Sequence, residues 1–147
     1  MQIEQTDNLC PVVLHTTYGG FHLSNECICR YLELKEIPFI IKQNRIFIEN
    51  IDILNSKNIL NKQGRELFNS RECDCIQYSC GRCIANYAFS HRYLRRDDIL
   101  LKQAITELRE DTGLSFQYLP KGTKYTIREY DGAEYIETEK DIEWFVV

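Results

Sequence analysis

The most constraining feature of this 147-residue chain is the stretch Tyr125–Ile136, in which Tyr125–Glu129 and Ala133–Ile136 flank Tyr130-Asp131-Gly132. An Asp-Gly pair between alternating apolar residues specifies a tight β-hairpin, because Gly supplies positive φ and Asp tolerates it. Carboxylates beside such a turn, Asp131 and Glu134, stay solvated unless they bind something. Glu129, Asp131 and Glu134 could in principle act as paired carboxylates or hold a hard cation, but capping and solvation are the commoner uses.

Two helices are legible. Ser24 is a good N-cap for a helix to about Lys35, with Glu26 in its first turn and Ile28, Tyr31, Leu32 and Lys35 on one face. Pro38 is a natural stop. Asp97 or Asp98 caps a second helix through about Asp111, with Ile99, Leu100, Ala104, Ile105 and Leu108 as its apolar stripe and Gly113 as its left-handed cap. Glu66–Ser90 reads as irregular, and the strand signals lie elsewhere. Val12–Leu14 is β-prone, Phe39–Ile41 and Ile46–Ile48 bracket a four-residue turn, and Ser115–Leu119 precedes the turn Pro120-Lys121-Gly122. Asn50–Gly64 reads as part strand, otherwise loop. Trp144–Val147 is expected to dock on the core. The expectation is an α+β fold: two helices on a mostly antiparallel sheet, one domain over 1–147, with a Cys-rich insert at about 66–90.

That insert carries Cys73-x-Cys75 and Cys80-x-x-Cys83, four of the seven cysteines. Four closely spaced thiolates suit tetrahedral zinc at about 2.3 Å per bond, although structural sites more often separate their pairs further. The alternative is a loop of free or partly buried thiols. Cys27-x-Cys29 is a poor chelator, since i and i+2 on a helix face different ways. No apolar run approaches the roughly 18 residues of a membrane span, and Met1–Asn8 lacks signal-peptide character. The expectation is an intracellular protein with no membrane partner. The net charge of −4 argues against non-specific nucleic-acid binding.

A local basic run stands against that balance. Asn86–Asp97 interleaves aromatics with Arg92, Arg95 and Arg96, ahead of a helix N-terminus, a combination that can stack a base and pair phosphates. A solvated helix lead-in whose arginines pair with nearby carboxylates is the plainer reading. No catalytic motif accompanies it: His15, His22 and His91 are the only histidines, and no Gly-x-Ser-x-Gly, Walker or His-Glu-x-x-His pattern occurs.

Two blocks, Tyr18-Gly19-Gly20-Phe21-x-Leu23-Ser24 and the run from Arg96-Asp97 through Glu107-Leu108 and Gly113 to Glu129-Tyr130-Asp131-Gly132-Ala133-Glu134, carry a resemblance. Together they resemble a group of small proteins of unknown function from tailed phages and large DNA viruses of eukaryotes. That group has a Tyr-Gly-Gly-Phe opening, an Arg-x-Asp-Pro-x-Leu helix start and a Glu-Tyr-Asp-Gly-x-Glu hairpin. Asp98 here replaces the proline, and the cysteine insert is outside the pattern. Some phage proteins of this size sequester cyclic nucleotide signals and so counteract host defence. The resemblance and the basic run together imply a non-catalytic viral accessory protein of the host cytoplasm that binds a small nucleotide-like ligand. Its contacts would be Phe89, Arg92, Arg95, Arg96, Asp131 and Glu134, with Tyr18, Gly19, Gly20 and Phe21 as a second wall. The alternative is a virion or protein-interaction module with a viral or host partner and a zinc site. A homo-oligomer fits either.

Overall fold

The computed structural model describes residues 8–17, 20–69 and 88–147. The fold is α+β, with antiparallel pairing in every sheet among those residues. Helices α1 (Asn25–Leu34), α2 (Ile51–Ser56), α3 (Lys62–Asn69) and α4 (Ile99–Glu107) are interspersed with strands β1 (Leu9–His15), β2 (Ile40–Lys42), β3 (Arg45–Phe47), β4 (Leu114–Pro120), β5 (Tyr125–Tyr130) and β6 (Ala133–Thr138). The one sheet expected from the sequence is three two-stranded ribbons, β1–β4, β2–β3 and β5–β6. An isolated two-stranded ribbon is marginal in water, so each must lean on the helices or on another ribbon.

Helices α1 and α4 form the centre, packed antiparallel. Ser24 caps α1 by accepting from Cys27 N (3.1 Å), and Glu110, just beyond α4, accepts from Ser24 N (3.0 Å) and from its hydroxyl. At the opposite end, Asp98 caps α4 by accepting from Leu100 N (2.9 Å) and takes bonds from the Tyr31 hydroxyl (2.7 Å) and Lys35 Nζ (2.8 Å). Cys27, Ile28, Tyr31 and Leu32 of α1 meet Leu101, Ala104 and Ile105 of α4 in one buried core with Val13, Phe47 and Phe89. Lys35 lies on the core-facing side, as its spacing predicts, because it serves Asp98.

Three helices end alike. After α1, Glu36 N bonds Glu33 O (3.0 Å) and Ile37 N bonds Leu32 O (2.9 Å), with Glu36 at φ 59. The same paired bonds follow α2, with Asn58 at φ 55, and α4, with Arg109 at φ 56. This is the Schellman closure, with a non-glycine in the left-handed position each time. The α4 cap is therefore Arg109, and Gly113, though at φ 78, instead opens β4. The helix stops short of Asp111 because its amphipathic stripe ends at Leu108.

Asn50–Gly64, read from sequence as strand and loop, holds α2 and the start of α3. Asn50 caps α2 by accepting from Asp52 N (3.1 Å), and Asn61 caps α3 by accepting from Gly64 N (2.8 Å). Both hairpins turn on two residues of positive φ, Gln43-Asn44 (52 and 61) and Asp131-Gly132 (55 and 89), the pattern of a type I′ turn. In β2–β3, Lys42 pairs directly with Arg45, so the expected four-residue turn is two. Trp144, Phe145 and Val146 are 80%, 85% and 96% exposed, which corrects the expectation of a docked C-terminal segment. No helix among the described residues is long and apolar enough to cross a membrane.

Candidate functional site

The site is built around an extended segment, Leu94–Asp98, between a 3-10 turn at His91–Tyr93 and α4. It is stitched in on two sides. Arg95 N bonds Ile59 O (2.8 Å), and Asn61 Nδ2 donates to Arg92 O (2.7 Å) and Leu94 O (3.3 Å). Opposite, Val13 N bonds Arg96 O (2.9 Å). The edge of β1 facing away from β4 is thereby settled donor by donor. Pro11 has none to offer, Val13 gives to Arg96, and His15 N gives to the Glu134 carboxylate (2.8 Å).

Arg96 and Glu134 are the joint between body and hairpin. The guanidinium forks onto the carboxylate at 2.9 and 3.0 Å, bonds Val13 O at 3.2 Å, and lies 3.5 Å over the Phe21 ring centroid. The two side chains are 17% and 8% exposed. Burial pushes the Glu134 pKa up, but the bonds from Arg96 and His15 N outweigh it and hold the carboxyl below the usual Glu value. Next door, Arg95 forks onto Asp97 at 3.0 and 2.7 Å. Burial, followed by the Asp97 charge and a bond to Asp97, raises the Tyr125 hydroxyl far above the ordinary Tyr range.

Two clefts flank Arg95. The hairpin cleft, about 550 Å³, lies between α3 and β5 and is lined by Asn61, Lys62, Arg65, Arg95, Arg96, Tyr125, Thr126 and Glu134 among others. Lys62 and Arg65 are exposed there, one α3 turn apart, and Arg65 also donates to Leu60 O (2.9 Å). The lysine cleft, about 520 Å³, lies on the other side of Arg95.

Of the residues singled out from sequence, the structure brings Arg95, Arg96 and Glu134 to the hairpin cleft. Phe21 does not line it: its face is taken by Arg96, and its ring centroid lies 5.8 Å from that of His91, edge to face. Phe89 is a correction. It is 2% exposed, its N–H bonds Ile46 O (2.7 Å), and its ring lies 5.9 Å from Phe68, so it belongs to the core and offers no stacking face. Arg92 is exposed on the 3-10 turn and lines neither cleft. Asp131 sits exposed at the hairpin tip, beside a small notch with Thr16 and Thr17. Gly20 takes φ 78, while Tyr18 and Gly19 lie outside the described residues.

Cys73, Cys75, Cys80 and Cys83 also lie outside the described residues. Among the described residues no group of three or more His, Cys, Asp or Glu is placed to hold a metal. Cys27 is in the core, its thiol pushed up to about 12 by burial and then by Glu110, so it is inert. Lys62, Arg65 and Tyr125 were missed as site residues. The first two sit in a helix that Gly64 masks in the sequence, and Tyr125 was read only as a strand residue. Comparison with models of known protein families, with curated proteins and with solved structures gave no match.

Proposed function

We propose that this protein is a non-catalytic binding protein that captures a small phosphate-bearing, nucleotide-like ligand in the hairpin cleft. One observation carries the reading. Four cations, Lys62, Arg65, Arg95 and Arg96, line that cleft against one carboxylate, Glu134, in a chain whose acidic residues outnumber its basic ones 22 to 18. A cleft of one sign focuses field and raises the local concentration of oppositely charged ligand. Arg96 and Arg95 are spent on Glu134 and Asp97, whereas Arg65 and Lys62, the latter in a long, exposed 4.0 Å pair with Glu66, remain to meet the anion. Tyr125 and Thr126 supply a ring and a hydroxyl on the facing strand.

In keeping with the viral resemblance, such capture serves during infection in the host cytoplasm, by removing a nucleotide signal of host defence. Titration calorimetry with a panel of linear and cyclic nucleotides tests the site. Arg65→Ala is expected to weaken binding by about 1.5–3 kcal/mol, the range for a hydrogen bond to a charged group, and raised salt to weaken it further. If no nucleotide gives heat, or if Arg65→Ala and Arg95→Ala leave affinity unchanged, the reading is abandoned.

A second reading, a virion or protein-interaction module, draws on the exposed run Trp144–Val147, since contiguous exposed apolar residues mark interaction surfaces. A stable oligomer in light scattering that becomes monomeric when 143–147 are removed would favour it.

A further inference from the structure

The lysine cleft shares Arg95 with the hairpin cleft and repeats its charge. Lys35, Lys57, Arg95 and Lys121 line it, against Asp97 and Asp98. Two of those cations are already answered, Arg95 by Asp97 and Lys35 by Asp98 (2.8 Å). The other two are not. Lys57, at the end of α2, and Lys121, just beyond β4, are exposed and make no ion pair among the described residues. Taken together, the two clefts gather seven of the chain's 18 cations and only three of its 22 carboxylates, Asp97, Asp98 and Glu134. In an acidic protein, that is two basic clefts that meet at Arg95, which is paired with Asp97.

Resting on the reading given under Proposed function, we propose that the ligand is a chain of phosphates, free or as the tail of a nucleotide, lying astride Arg95. One end meets Lys62 and Arg65, and the other meets Lys57 and Lys121. Orthophosphate satisfies one cleft. A longer chain recruits the second at no further translational cost, because tethering turns the second contact into an intramolecular one. The lysine cleft has no aromatic wall, whereas the hairpin cleft has Tyr125, so a nucleoside would lie at the hairpin end.

Calorimetry with orthophosphate, pyrophosphate, tripolyphosphate and a nucleoside triphosphate tests this on the wild type, on Arg65→Ala, and on the double variant Lys57→Gln/Lys121→Gln. Both lysines are exposed, so the double variant is expected to fold, which its urea midpoint checks. The expected result is one site per chain and a gain of roughly tenfold or more from orthophosphate to tripolyphosphate. The double variant should keep the orthophosphate affinity and lose that gain, while Arg65→Ala weakens all four ligands. Tripolyphosphate binding as tightly as the nucleotide assigns recognition to the phosphates alone; a tighter nucleotide adds the nucleoside, and either supports the proposal. No gain with chain length, a gain that survives the double variant, or two independent phosphates per chain would overturn it and leave the hairpin-cleft reading in place. Absence of binding by every anion overturns both.

Discussion

At the scale of residues, the arginines separate into joints and exposed binders. Arg96 and Arg95 follow each other in extended backbone, yet each is forked onto a carboxylate. The sequence made both visible as candidates. Their partners were invisible, because Glu134 and Arg96 lie 38 residues apart and meet only once β1 and the hairpin are in place. Breaking a largely buried pair leaves its partner uncompensated, so Glu134→Gln is expected to cost about 3 kcal/mol in urea unfolding. Arg128→Ala, which removes an exposed pair with Glu137, should cost about 0–1 kcal/mol.

Acid should loosen the protein in two stages. Burial, and then the neighbouring His22, Arg92 and Arg96 charges, lower His91 from 6.5 to about 4. The unfolded chain therefore binds the extra proton first, and stability falls as pH drops from 6.5 towards 4. Glu134 and Asp98 both titrate below their ordinary values, for Asp98 because the bonds from Lys35, Tyr31 and Leu100 N overcome burial. Their contribution is complete above the ordinary carboxylate range and is lost on further acidification through their lowered values. Urea midpoints across pH 7 to 3 should show both stages, and His91→Phe, which retains a ring beside Phe21, should flatten only the first.

At the scale of elements, both ends of α1 and the start of α4 were legible, while the cap that closes α4 and the whole of α2 and α3 were not. Ser24 and Asp98 announce α1 and α4 by side-chain chemistry alone. The ends use Glu36 and Arg109 at positive φ, positions where sequence reasoning looks for glycine, and so the cap was sought at Gly113. Left-handed backbone costs an L-residue about 1–2 kcal/mol, partly offset by glycine's greater freedom when unfolded. Glu36→Gly and Arg109→Gly should accordingly raise stability by about 0.5–1 kcal/mol each. Gly64 is the opposite case. A Cβ there would meet Tyr93 O at 2.8 Å and Tyr93 Cβ at 2.9 Å, because α3 packs hard on the 3-10 turn. Gly64→Ala should therefore destabilise by about 1–3 kcal/mol, in spite of alanine's better helix propensity. That close approach is also why α3 was missed: a glycine inside a helix reads as a break.

At the scale of the whole molecule, an α1–α4 pair carries three ribbons, and the third is fixed to the body through Glu134. This placement makes the hairpin one wall of a cleft whose other wall is α3, and it sets two basic clefts on an acidic protein. The apolar residues after Ile142 take no part in that assembly. Removing 143–147 should leave the urea midpoint within about 0.5 kcal/mol of wild type, as for other exposed changes, whereas a docked segment would cost several times more.

The central claim is that a phosphate-bearing ligand enters between α3 and β5, and amide chemical-shift mapping tests it most directly. Titrating tripolyphosphate into isotopically labelled protein should move the amides of Asn61–Arg65, Leu94–Arg96 and Tyr125–Ile127, with Lys57 and Lys121 following in the same titration. Shifts confined to other surfaces, or none at saturating ligand, would contradict the claim.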